Sequence, residues 1–441
     1  MLEEVSCAGA AEVDEAVARA RDAFPAWRAL SPAARAEHLR ALVTTLEAHH
    51  EELAVLEARN AGKPIGDARG EMQMVIDTFR YYSAAPERLL GETIPVSGGH
   101  AFTVREPLGV VGLIVPWNFP LTISAWKLAP ALAAGNTAIL KPAELTPLSA
   151  LRFARLATDA GLPDGVLGVV AGRGVVAGAR LVEHPDVAKI AFTGSTAVGR
   201  AIAASAALTI KRVTLELGGK SANVIFADAD LERAASEAPG AVFGNAGQDC
   251  CARSRILVEH SVYDRFMALL EEHVKAVRVG DPLDPQTEMG PLISSAQRER
   301  VASFLDDDDA HVAFRGSAPE GPGFWFAPTV LAPAARGDRA VREEIFGPVA
   351  AVLPFRDEAE AVALANDTIY GLSGSIWTRD GARALRMARA IDSGVLSINS
   401  NSSVRVSTPF GGFKQSGYGR ELGPHALDAY TEVKSIYYST R

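Results

Sequence analysis

Two cysteines stand side by side in Gly247-Gln-Asp-Cys250-Cys251-Ala-Arg-Ser-Arg255. Cysteine attacks carbon only as the thiolate, so either could be a nucleophile if positive charge, backbone N–H groups or a base lowered its pKa. Arg253 and Arg255 are the nearest cations in sequence. Adjacent cysteines also occur as inert packing, and the pair alone does not decide between the two readings. Glu216 closes the apolar run Val213-Thr-Leu215 and is followed by Leu217-Gly218-Gly219-Lys220. A carboxylate in apolar surroundings has a raised pKa and can take a proton near neutral pH; a solvated strand-end Glu reads the same. Asn118, in Pro116-Trp117-Asn118-Phe119-Pro120, could donate its amide to a developing oxyanion, although Asn also favours turns for local reasons. Phe192-Thr-Gly194-Ser195-Thr-Ala-Val-Gly199 is a glycine turn that would place N–H groups where a phosphate can sit, without being the G-x-G-x-x-G fingerprint. Lys141-Pro-Ala-Glu144 offers a cation and a carboxylate for ribose hydroxyls, or is a surface turn.

Most of these residues follow short, unbroken apolar runs: Val110–Val115, Thr137–Leu140, Val166–Val170 and Val187–Phe192. Strands buried on both faces and separated by helices indicate a parallel sheet. Thr146-Pro147 opens one crossover helix and Gly161-Leu-Pro163 closes it. A second series runs from Asn223–Phe226 to Gly374–Trp377, with a further strand at Arg255–Val258. The first quarter reads helical. Val13, Val17, Ala20 and Phe24 recur at helical spacing, and Ser31-Pro32 caps a helix whose apolar stripe, Leu39 to Leu56, runs to Gly62-Lys63-Pro64. Ile94–Val104 reads as an extended arm, and Asp306–Asp309 as a solvated turn with no metal assigned.

The chain has 441 residues, room for two or three domains. Its 44 Lys and Arg against 53 Asp and Glu leave a net charge of −9, which argues against nucleic acid or an anionic membrane as partner. Three cysteines are too few for a disulfide framework and suit a reducing cytoplasm. The acidic N-terminus carries no export signal, and no apolar stretch of the first half approaches the roughly 18 residues a membrane span needs.

Taken in order, seven blocks resemble one family, the NAD(P)-dependent aldehyde dehydrogenases, from about Val13 to Val433. They are PWNFP, KPAE, FTGS, LELGGK, GQDC, EEIFGP and PFGGFKQSG. The resemblance implies an α/β fold of two doubly wound parallel-sheet domains with a small oligomerisation arm. Residues 1–84 and 108–219 would bind the dinucleotide, 220–415 would form the catalytic domain, and 85–107 with 416–441 the arm of a homodimer or homotetramer. Cys250 matches the nucleophile, Glu216 the general base and Asn118 the side-chain half of the oxyanion hole. Lys127 and Glu421 match a proton relay. Lys141 and Glu144 match adenosine-ribose ligands, and Trp117, Gly194 and Ser195 the surroundings of the pyrophosphate. Glu344 and Phe346 match residues that hold the nicotinamide ribose and ring. Glu144 would repel a 2′-phosphate, so NAD is expected over NADP. Phe119, Trp126 and Phe410 match the aldehyde tunnel, with Val404 and Asn401 at its mouth; Asp249 resembles the GQDC form of aminoaldehyde and betaine-aldehyde oxidisers, so the substrate is expected to be either a general aliphatic or aromatic aldehyde or an ω-aminoaldehyde. Cys7 has no assigned role. Relative to the family, an N-terminal Pro-rich segment is missing and the 306–324 loop looks trimmed.

Three rivals differ at named residues. Acyl transfer to coenzyme A is disfavoured by the presence of Glu216. A Cys-His thiol esterase would need His260 or His273 beside Cys250. A non-catalytic relative would have no reason to keep Cys250, Glu216 and Asn118 together.

Overall fold

The computed structural model describes residues 3–307, 310–402 and 404–441. Helix α1 (Ala10–Ala29) buries Val13, Ala16, Val17 and Ala20, one stripe at helical spacing. The stripe expected to run unbroken to Gly62 belongs to two helices, α2 (Pro32–Ala48) and α3 (His50–Ala61). The His49 ring sits 2.8 Å from the Thr45 carbonyl oxygen, four residues back, at the break; a side chain that bonds the preceding turn competes with the ladder there. Ser31 caps α2 by accepting from the Ala34 amide, and Gly62, at φ 76°, ends α3 in the left-handed conformation that glycine adopts without strain. Helix α4 (Ile65–Ser83) follows at once.

Strands β1 (Thr93–Ile94) and β2 (Gly99–Pro107) form the arm. They are followed by β3 (Val110–Ile114), α5 (Pro120–Ala133), β4 (Thr137–Lys141), α6 (Leu148–Asp159), β5 (Leu167–Val169), α7 (Ala179–Glu183), β6 (Val187–Thr193), α8 (Thr196–Ala207) and β7 (Arg212–Glu216). The second series holds β8 (Ala222–Ile225), α9 (Leu231–Phe243), β9 (Arg255–Glu259), β10 (Val312–Arg315), β11 (Thr329–Leu331), β12 (Val349–Phe355), β13 (Tyr370–Gly371), β14 (Ser373–Trp377) and β15 (Val395–Ile398). Then come β16 (Phe413–Lys414), β17 (Gly417–Tyr418) and β18 (Thr431–Ser439).

The first sheet runs β17-β7-β6-β3-β4-β5, parallel except for β17, and the second runs β10-β11-β12-β9-β8-β14-β15, parallel except for β10. Each is covered on both faces. In the first, α1 packs with Val110, Ile114 and Ile139 on one side, and helices α2 to α6 pack with Val111, Leu113 and Leu140 on the other. This is the doubly wound α/β architecture, and the alternation of the buried strand residues between the two cores is its direct mark.

The tail departs from expectation. Of the stretch 416–441 assigned to the arm, Gly417 and Tyr418 instead pair with Glu216 and Leu215 and extend the first sheet. Only from Thr431 does the chain join β2, in a nine-residue antiparallel register from Thr431–Pro107 to Ser439–Gly99. Asp306 is exposed, as a solvated turn requires; Asp308 and Asp309 lie outside the described residues. No helix of the described residues is long and apolar enough to cross a membrane.

Candidate active site

The carboxyl ends of adjacent parallel strands present the expected residues. Trp117 and Asn118 follow β3, Lys141 ends β4, Gly194 and Ser195 follow β6, and Glu216 ends β7. Ligands of open α/β sheets bind along this edge. Ser195 is exposed and caps the twelve-residue helix α8 by accepting from the Val198 amide, so the first amides of the helix are directed to the same edge. Lys141 is buried, its Nζ donating to the Pro142 carbonyl at 2.8 Å, with Glu144 exposed three residues on. Burial pulls the Lys141 pKa down, while Glu144 and Cys7 push it up, which places Cys7 close to this corner. From the second sheet, Glu344 accepts from the Gly219 amide at 2.9 Å, and Phe346, at a left-handed φ of 59°, sets its ring 5.3 Å from Trp117, edge to face. Burial raises the Glu344 pKa to about 7. A helix N-terminus, a cation beside an exposed carboxylate and an aromatic pair with a carboxylate, all on one edge, fit a dinucleotide.

Cys250 comes from the other direction, after α9. The chain before it turns through three left-handed residues, Asn245 (φ 52°), Ala246 (φ 56°) and Gly247 (φ 69°), two of them not glycine. Such strain persists only where surroundings enforce it, and here a polar network does. Asn118 Nδ2 donates to the Gln248 carbonyl at 2.9 Å, and Asn245 Nδ2 donates to the Asn118 carbonyl at 3.0 Å. The Gln248 side chain donates to the Asn245 carbonyl and accepts from the Ile293 amide. Asn118 Nδ2 carries two hydrogens; one is engaged by Gln248, and the other remains for an oxygen at Cys250. Gly219 makes the approach of the loop possible, since a Cβ there would sit 2.1 Å from the Cys250 carbonyl oxygen. Asn245 and Gln248 escaped the sequence reading. A glutamine in the motif and an asparagine three residues before it, in Asn245-Ala-Gly-Gln248, were the available signals.

The largest influences on the thiol do not come from the two cations near it in sequence. Its neighbour Cys251, burial and the Asp249 carboxylate all push the Cys250 pKa above the ordinary thiol value. Arg255 is turned away, donating to the carbonyls of Lys220, Leu364 and Ala365, and Arg253 donates to the Cys251 carbonyl, Ser375 and the Asn401 carbonyl. These influences favour the thiol over the thiolate at Cys250. All three cysteines are unpaired, and the donor atoms of Asp249, Cys250 and Cys251 lie within 4.8 Å of one another.

Glu216 is 3% exposed, and both its carboxylate oxygens are without a hydrogen-bond partner. Burial, then the Glu421 charge, push its pKa well up, against Lys127 and Arg420. Lys127 is fully buried, donates to Thr193 Oγ1 at 2.8 Å and is ion-paired with Glu421. Glu421 is fixed in turn by the antiparallel bridge it makes with Phe410.

A cavity of about 460 Å³ ends on Cys250 and Cys251. Its walls include the expected Phe119, Trp126, Phe410, Val404 and Asp249, and Trp126 and Phe410 pack 5.0 Å apart. Asn401 does not line it; its Nδ2 reaches the Glu237 carbonyl on α9, and its own carbonyl holds Arg253. Three further wall residues were not foreseen. Asp67, Glu71 and Met74 stand on one face of α4 at spacings of four and three residues. Glu71 is ion-paired with buried Lys63, whose Nζ lies 4.4 Å from the Phe119 ring. Neither His260 nor His273 lines the cavity at Cys250 among the described residues.

The aldehyde dehydrogenase family model matches residues 1–436. The chain belongs to the aldehyde dehydrogenase family. It is 44% identical over 445 residues to the NADP/NAD-dependent aldehyde dehydrogenase PuuC of Escherichia coli, covering 99% of this chain and 90% of that protein. It is 40% identical over 448 residues to the betaine aldehyde dehydrogenase of Bacillus subtilis, covering 99% and 91%. The NAD+ complex of the Bacillus cereus aldehyde dehydrogenase superposes with a TM-score of 0.97 at 42% identity, covering 99% of this chain and 90% of that one.

Proposed function

We propose that this aldehyde dehydrogenase oxidises an aldehyde to the carboxylic acid with NAD, Cys250 serving as nucleophile and Glu216 as general base. The observation that carries the reading is a tunnel that ends on the Cys250 thiol, whose loop is tied by Gln248 to Asn118. Cys250 gives its thiol proton to Glu216 as Sγ adds to the carbonyl carbon, and the oxygen that becomes negative accepts from Asn118 Nδ2 and the Cys250 amide. Trp117, Lys141, Glu144, Gly194, Ser195, Glu344 and Phe346 would hold NAD, which supplies the hydride acceptor. The thioester left on Cys250 is hydrolysed by water that gives its proton to Glu216, and the raised pKa of this buried carboxyl suits that task. Exposed Glu144 favours NAD over the 2′-phosphate of NADP.

The tunnel walls favour an ω-aminoaldehyde over a general aldehyde. Asp67, Glu71 and Asp249 offer three carboxylates around an aromatic channel, which suits a chain with an apolar body and a cationic end. The names of the E. coli and B. subtilis relatives agree with an amine-bearing substrate only for the betaine aldehyde enzyme, and the acidic wall is the stronger support. The arm suits self-association into a dimer or tetramer: Phe102, Val433, Tyr437 and Tyr438 are exposed along β2 and β18. The unpaired thiols suit a reducing cytoplasm.

Steady-state assays with NAD and with NADP over a panel containing 4-aminobutanal and hexanal, beside Cys250→Ala, test the reading. Reduction should vanish in the variant to below about a thousandth of the parent rate. NAD reduction that survives the substitution overturns the mechanism, and equal kcat/KM for the two aldehydes overturns the substrate class.

A further inference from the structure

Strands β6 and β7 are parallel, with Lys189 opposite Arg212, Ala191 opposite Thr214 and Thr193 opposite Glu216. Side chains alternate along a strand, so these six residues share one face of the sheet. The row begins at the buried base Glu216 and ends at Arg212, which is exposed. Its middle is lined with exchangeable protons. Lys127 from α5 reaches Thr193 Oγ1 at 2.8 Å and pairs with Glu421, and Lys189 Nζ donates to Thr214 Oγ1 at 2.5 Å. Lys189 is 1% exposed within the sheet, yet it lines a cavity of about 530 Å³ between β6, β7 and the arm, together with Arg105, Arg212, Thr214, Asp428 and Glu432. Both oxygens of Glu216 and Oε2 of Glu421 lack hydrogen-bond partners, leaving acceptors open at the inner end.

We propose that Lys189, with Thr214, is the outer limb of the route by which the proton of the hydrolytic water leaves the active site. The proton passes from Glu216 to Glu421 and Lys127, then to Lys189, and out through the cavity beside the arm. The step balances: once Glu216 has lost the thiol proton by this route, water divides into a proton, which Glu216 takes and passes outward, and hydroxide, which joins the acyl carbon as the C–S bond breaks. Cys250 leaves as the thiolate and is reprotonated by the carboxylic acid formed. The inference rests on Glu216 being the base and adds a destination. The groups that face the Lys189 amine are Lys127 of α5, Glu421, Arg212 and Thr214 of β7, and the Tyr430 ring at 5.0 Å. Burial first, then Lys127 and Arg212 against Glu421, bring its pKa to about 7, so both protonation states are populated at neutral pH.

Lys189→Met is compared with the parent by stopped-flow and steady-state assay across pH 6 to 9. First-turnover NADH formation should stay within about twofold, because the Cys250 thiol proton need go no further than Glu216 before hydride leaves, while subsequent turnover, which needs Glu216 emptied again, falls about tenfold. The parent's turnover should rise with pH through about 7, as Lys189 becomes a neutral acceptor. That limb should disappear in the variant, and imidazole buffer should restore part of the loss. Turnover within twofold of the parent with an unchanged pH profile overturns the proposal, as does equal loss of the first turnover. Should Lys189→Met not fold, Thr214→Val is read by the same criteria, with Thr214→Ser expected to restore turnover. Glu216→Gln run alongside separates the premises: if it turns over normally, the base assignment has failed, whatever Lys189 does.

Discussion

Two buried lysine–glutamate pairs flank the reacting cysteine, and they differ in what surrounds them. Lys63 pairs with Glu71 at the tunnel wall, and Lys127 pairs with Glu421 behind Glu216. Each lysine is fully buried and faces more than one carboxyl group, Glu57, Asp67 and Glu71 for Lys63, Glu421 and Glu216 for Lys127. Glu71 opens onto the cavity, so its pair tunes the charge seen by an incoming substrate. Glu421 has no place in that wall and is connected instead to the base and the threonine-lined row. On the reading proposed above, the same ion pair would serve recognition in one place and store a proton in the other, and access to the tunnel makes the difference.

The largest expected effect lies on the inner pair. Lys127→Met should lower kcat by about a hundredfold while first-turnover NADH formation changes little; an equal loss in the first turnover would show that Lys127 serves acylation and break the contrast. The next concerns the thiol between the pairs. The largest influences on Cys250 all raise its pKa, so alkylation of the free enzyme by iodoacetamide should accelerate close to tenfold per pH unit from 7 to 9, as the thiolate fraction grows below the pKa. A plateau below pH 8 would mean that one of the lysines lends its charge to the sulfur.

The strands were legible because β-branched apolar runs buried on both faces admit few other readings: Val110, Thr137 and Val187 all begin strands as expected. The places of Glu216 and Asn118 at strand ends were legible because each directly follows or closes a short apolar run. What could not be read were pairings made at a distance. The two-residue strand Gly417–Tyr418 is too short to show an alternation, and its partner lies some two hundred residues earlier, at Leu215 and Glu216. Arg255 stands close to Cys250 in sequence, yet its fork of donors finds three carbonyls elsewhere. Asp67 and Glu71 read as ordinary polar positions of a helix, because only the packing of α4 against α5 turns that face to the tunnel.

The outer pair predicts smaller effects of a different kind. Lys63→Met leaves Glu57 and Glu71 buried without their cation. Because Glu71 already sits at about 7, the carboxyls can neutralise by taking up protons, and the loss of stability should be about 2 kcal/mol in place of the 3–5 typical of a broken buried pair. Denaturant unfolding at pH 7 measures it, and kcat for hexanal per folded molecule should stay within about twofold. A hundredfold fall in kcat would make the two pairs equivalent after all. The smallest effect is the pH dependence of substrate preference. Below pH 7 Glu71 is mostly the neutral acid, and above it the anion. The amine of 4-aminobutanal, with the pKa of a primary ammonium near 10, stays charged throughout. Its kcat/KM relative to hexanal should therefore rise by about fivefold from pH 6 to pH 8, mainly through KM. Glu71→Gln should flatten the rise, because an amide has no charge to gain; a rise that persists in this variant would transfer the recognition of the ammonium to Asp67 or Asp249.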